Sequence, residues 1–238
     1  MGSCMLSGME AMATAAASPA KPARRYTLGE EIAHSVTHGV GALLSIAGLV
    51  LLVVFAALRG NAWHIVGCGI FGTTLVLMYT ASTLYHALPQ PRAKRVFRIL
   101  DHSAIYLVIA GTYTPFTLVS LRGAWGWTLF GLVWAMAIPG IVFKALALGR
   151  LRVLSVVFYL AMGWLVVIAT KPLLHAVAPA GLALLAAGGL AYTVGVIFFA
   201  WKRMPYHHMI WHLFVLGGSV LHFFAVLLYV VPRGASVS

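Results

Sequence analysis

Two histidines, His208 and His212, stand four residues apart in the segment Tyr206-His207-His208-Met209-Ile210-Trp211-His212. On a helix of 3.6 residues per turn that spacing puts both imidazoles on one face, one turn apart, a bidentate platform for a metal ion. Ser82 and His86 repeat the separation in Ser82-Thr83-Leu84-Tyr85-His86. Three imidazoles from two helices, His86, His208 and His212, with one position left open form the donor set of a catalytic zinc centre, and Zn2+ held there would bring the pKa of a water to about 7. Asp101 could orient that water or accept its proton, and the Ser82 hydroxyl could stabilise an oxyanion.

These residues stand out because ionisable groups are scarce. The chain has four acidic residues, and Asp101 alone lies beyond position 31. Ten histidines fall mostly into groups: His34 and His38, then His86, His102, and the run His207, His208 and His212. Taken singly, a histidine at a helix end is more often a hydrogen-bonding residue than a ligand. The combination of His, Asp and a His pair from three helices is what favours a metal. His207 points about 100° round the helix from His208 and is the weaker candidate. His102 reads as structural, and His64 and His175 belong to the outer face. His222 faces the same interior as His208 but lies about 21 Å further along the helix, so it is expected to hydrogen-bond in the core. Glu31, His34 and His38, at i, i+3 and i+7, form a polar stripe that either approaches the site, as a proton path, or reflects helix capping by Glu30 and Glu31.

The elements that position these groups must be membrane spans. With 62% hydrophobic residues, 8% charged residues and a mean hydropathy of +0.97, the chain lacks the polar surface of a soluble domain. A span needs about 20 apolar residues. Seven such runs appear, Ser35 to Leu58, Ala62 to Leu88, Ala104 to Leu121, Ala124 to Phe143, Val153 to Thr170, Leu173 to Trp201 and Met209 to Val231. The fold class is therefore all-α, an integral membrane bundle of seven helices.

Orientation follows from the basic residues. Of 16 Lys and Arg, 12 lie in alternate connecting segments: Lys21, Arg24 and Arg25; Arg92, Lys94, Arg95 and Arg98; Lys144, Arg150 and Arg152; Lys202 and Arg203. The others are Arg59, Arg122, Lys171 and Arg233. Basic flanks stay on the cytoplasmic side, which puts the N-terminus inside, the C-terminus outside, and the histidine groups at the cytoplasmic face of the inner membrane. The net charge of +12 is spread over short loops, which argues for lipid headgroups as neighbours and against nucleic acid. Residues 1–25 read as a disordered tail, and Cys4 and Cys68 give neither a disulfide framework nor a CxxC metal motif. Nothing in the sequence sets an oligomeric state.

The segments Glu30-Glu31-Ile32-Ala33-His34-Ser35-Val36-Thr37-His38-Gly39, Ser82 to His86, Leu100-Asp101-His102-Ser103-Ala104-Ile105-Tyr106 with Gly111-Thr112-Tyr113-Thr114-Pro115-Phe116, and His208 to His212 with His222-Phe223 resemble the hemolysin III family. That family is the bacterial branch of the progestin and adipoQ receptor superfamily, which includes the adiponectin receptors. The resemblance covers the chain from about Tyr26 onward and defines a domain over residues 26–238. It implies seven membrane helices and a zinc ion held by His86, His208 and His212 with a water as fourth ligand, Asp101 close to that water, and Ser82 matching the family serine. His34 departs from the pattern, which often has Asn at that position. Two functions are expected from different classes. One is zinc-dependent hydrolysis of a lipid amide or ester, with a lipid as substrate. The other is a non-enzymatic role in membrane homeostasis, ion conduction or cytolytic pore formation, with a structural zinc.

Overall fold

The structure, a computed structural model, describes residues 26–146 and 152–232, and the tail expected over residues 1–25 lies outside them. Seven helices are long and apolar enough to cross a membrane: α1 (Leu28–Arg59), α2 (Ala62–Ala87), α3 (Pro91–Ser120), α4 (Ala124–Leu146), α5 (Val153–Ala176), α6 (Pro179–Ala200) and α7 (His207–Tyr229). No strand occurs among the described residues. The apolar side chains Ile32, Val36, Leu43, Val50 and Leu58 of α1 are exposed, as a lipid-facing surface requires.

Three boundaries differ from the sequence expectation, each for a physical reason. α1 begins at Leu28 rather than Ser35, because Thr27 caps it there. Pro91 starts α3 thirteen residues before the apolar run, at a first-turn position where a missing N–H costs nothing. The segment with Arg92, Lys94, Arg95 and Arg98 is thus helical, and its charges extend α3 beyond the apolar stretch. The fifth and sixth spans divide at Val177 and Ala178, because Pro179 opens α6 and Lys171 with Pro172 falls inside the last turns of α5. Within α5 the helix is interrupted by 3-10 turns over Leu165–Ala169. The Tyr113 hydroxyl donates to the carbonyls of Met162 and Gly163 and accepts from Val166 N–H, so the groups freed by the break are paired. Beyond Pro115, α3 ends in a π-helical segment, Phe116–Ser120.

The first helix sets the depth of the histidine end. Thr27 and Glu30 form a capping box that fixes where α1 begins. Its buried stripe, His34, His38, Gly41, Ser45, Gly48, Leu52 and Ala56, recurs every three or four residues and faces the bundle. Without a hydrophobic drive between helices in lipid, close contact comes from small residues. A Cβ on Gly72 of α2 would come within 3.0 Å of the Leu49 backbone of α1, and one on Gly41 within 2.5 Å of the Tyr79 ring. At the opposite end Trp63 packs edge-on to Trp127, with the Arg122 guanidinium 4.7 Å over the Trp63 ring, a pairing typical of a membrane interface.

Gly72→Ala is expected to force α1 from α2 and cost about 1–3 kcal/mol, seen as a lower melting temperature in detergent. Gly69→Ala, where a Cβ meets nothing within 4 Å, should leave it unchanged or raise it.

Candidate metal centre

Three helices bring their histidine-bearing ends together. His86 lies in the last turn of α2, His208 and His212 open α7, and Glu31, His34 and His38 descend the start of α1. The start of α7 is set by Tyr206, which adopts a left-handed conformation (φ 55°) and donates its N–H to Glu30 Oε1 at 3.3 Å. A non-glycine residue there is strained and is held only where its surroundings demand it. His207 then turns away, and its Nδ1 donates to the Phe198 carbonyl at the end of α6.

One donor atom each from His86, His208 and His212 lies within 4.8 Å of the other two, and all three residues are buried. Their partners decide which nitrogen faces the middle. Glu31 Oε2 accepts from His86 Nδ1 at 2.6 Å, leaving Nε2 for an ion, and the other Glu31 oxygen accepts from Lys94 Nζ at 2.8 Å. The His34 carbonyl accepts from His212 Nδ1 at 3.3 Å and so orients that ring also. A carboxylate or carbonyl behind each imidazole is the usual support of a histidine ligand. Meanwhile His86 Nε2 and His208 Nδ1 have no hydrogen-bond partner. An unpaired buried polar atom costs about 1–3 kcal/mol, so the arrangement fits a bound cation better than an apo core.

The polar stripe of α1 does approach the site. Glu30 serves the cap and Tyr206, whereas its neighbour Glu31 supports His86, so the two acids divide the roles that spacing left open. His38 stacks on His212 with ring centres 3.5 Å apart and shares a 2.7 Å hydrogen bond between Nδ1 and Ser82 Oγ. His34 packs against all three imidazoles of the cluster. Asp101 lies within electrostatic range of His86 and His38, but its Oδ2 sits 3.2 Å from His102 Nδ1, and it is not among the gathered donors, which are all histidines save Glu31. His222 takes no part in the cluster and donates from Nε2 to the Leu185 carbonyl at 3.2 Å, in the core as expected.

Tyr26 and Lys94 were not legible from spacing. The Tyr26 ring stacks on His208 at 5.4 Å and meets His34 edge-on at 4.7 Å, covering the site. Lys94 reads as a loop charge until α3 is seen to start at Pro91. Beside the cluster a mostly apolar cavity of about 440 Å³ runs between the helices, walled by Met78, Ile105, Tyr159, Phe199 and Trp211 among others. The Phe199 ring lies 6.0 Å from that of His208, so one wall of the cavity is shared with the site.

The sequence matches the family described as haemolysin-III related over residues 26–223. It is 52% identical to the hemolysin-3 homolog of Bacillus subtilis over 87% of this chain and 97% of that protein. It is 50% identical to hemolysin-3 of Bacillus cereus, over 87% and 94%. The monocyte to macrophage differentiation factor of Homo sapiens is 28% identical over 89% of each chain. No solved structure matches the chain.

Glu31→Gln should weaken metal binding about 10- to 100-fold by loosening the support of His86, measured by competition with a chelator of known affinity.

Proposed function

The chain belongs to the haemolysin-III-related family, and on that footing we propose that it is a zinc-dependent hydrolase of lipid amides or esters in the inner membrane, with its site near the cytoplasmic face. The observation that carries the reading is the buried cluster of imidazoles with unpaired nitrogens beside an apolar cavity. His86, His208 and His212 would hold zinc, which when bound supplies Lewis acidity toward a carbonyl and brings the pKa of a water to about 7. Asp101 accepts the proton at Oδ2, which lies 3.2 Å from His102 Nδ1. Ser82, one turn before His86 and held by His38, offers its hydroxyl to the developing oxyanion. The cavity admits acyl chains, since Met78, Ile105 and Phe199 present hydrocarbon and aromatic surface to it.

A second reading rests on the same residues. Asp101 pairs with His102, and Ser82 with His38, which favours a structural zinc in a non-enzymatic membrane protein, whether its role is homeostasis, ion conduction or cytolytic pore formation, the Bacillus relatives being named hemolysin-3.

Purified protein is expected to contain about one zinc per chain, lost in His208→Ala and His212→Ala. Under the hydrolase reading, Asp101→Asn keeps the zinc and lowers turnover of a long-chain lipid amide about 100-fold or more. Wild-type protein that holds zinc but turns over no lipid amide or ester, and in which Asp101→Asn alters stability alone, supports the structural reading instead.

A further inference from the structure

One buried group beside the triad has no role in the hydrolase reading. His34 is fully buried on α1, and neither of its ring nitrogens has a hydrogen-bond partner. Its ring centre lies 4.7 Å from that of His86, 4.9 Å from His208 and 5.4 Å from His212. The triad's own separations are 5.3, 5.3 and 4.5 Å. The four rings therefore occupy the corners of a nearly regular tetrahedron. Four imidazoles bound to one zinc through nitrogens at about 2.0–2.1 Å hold their ring centres about 5 Å apart.

The geometry points to His34 as a fourth ligand that closes the coordination sphere of the zinc in the resting protein. The inference rests on the zinc centre proposed above. Ring packing alone would also bring the four imidazoles together, but it gives no partner to their unpaired nitrogens. His38 also has an unpaired Nε2, but its ring lies parallel to that of His212 with centres 3.5 Å apart, whereas two imidazoles on one zinc stand about 5 Å apart. As placed, a His34 nitrogen lies within 4.8 Å of donor atoms of Glu31 and His86. A half-turn of the imidazole about its Cβ–Cγ bond exchanges nitrogen and carbon positions and leaves the ring centre where it is. A separate second ion on Glu31, His34 and His86 is disfavoured, because Lys94 Nζ already sits 2.8 Å from Glu31 and would face that ion, with the first zinc close behind. With four imidazoles on the ion no position would remain for a water or a carbonyl, so the hydrolase reading requires His34 to leave first, which makes this side chain the gate of the site.

The test is X-ray absorption on the purified zinc protein, with zinc content and chelator competition on the same samples. The wild type is expected to show about one zinc with four imidazole neighbours. His34→Ala should keep the metal with three imidazoles and at least about tenfold weaker affinity, and His34→Asn, which keeps a polar side chain of moderate size, should behave alike. His34→Cys should add one sulfur neighbour at about 2.3 Å, which no packing role would produce. Three imidazoles in the wild type, unchanged in His34→Ala and with no sulfur in His34→Cys, would overturn the assignment. Two zinc ions per chain would overturn it as well. Absence of any metal from the wild type would instead remove the zinc centre itself, whereas four imidazoles without lipid turnover would uphold the ligand and reject the hydrolase.

Discussion

A polar nitrogen inside an apolar bundle must meet a proton donor, an acceptor or a cation, because no water of the bilayer core will serve it. That demand organises one end of this protein. Imidazoles from α1, α2 and α7 converge there, and several of their nitrogens lack any hydrogen-bond partner. Elsewhere in the described bundle buried polar groups are largely paired locally. Thr74, Thr112 and Thr114 donate to carbonyls three or four residues back on their own helices, and Tyr79 and Tyr192 converge on Ser219. The contrast between satisfied and unsatisfied groups is what marks the histidine cluster as a place for something else.

Support for that cluster comes chiefly from the first helix, which supplies no member of the predicted triad. Glu31 fixes the His86 tautomer, the His34 backbone fixes that of His212, and His38 stacks beneath His212. Glu30, one residue earlier, ties down both the start of α1 and the strained backbone of Tyr206, from which the His208 and His212 face is launched. Close approach of α1 and α2 through Gly41 and Gly72 is therefore a condition for the geometry of the histidine cluster as well as for stability.

Much of this was readable in the residues because the membrane restricts the choices. Long apolar runs must be helices, so the seven spans and the shared face of His208 and His212 follow from length and a period of 3.6. The limits of α3 were not readable from apolarity, since helix propensity and Pro91 carry the helix through Arg92, Lys94, Arg95 and Arg98 where hydropathy has already ended. The division at Val177 was obscured in the same way by continuous apolar sequence on both sides. Spacing showed that Glu31, His34 and His38 share a face of α1. It could not show which neighbouring helix that face meets, and so left the closeness of His34 to three other imidazoles, and the pairing of Asp101 with His102, to the three-dimensional packing.

The interruption of α5 has a mechanical meaning. Regular α-helical hydrogen bonding stops before Leu165–Ala169, and Tyr113 satisfies the freed groups from a neighbouring helix. Bending there breaks no continuous ladder, so α5 has a built-in point of give in the middle of the wall it contributes to the cavity, with Tyr159 and Leu160 on one side of it and Leu173 and Leu174 on the other.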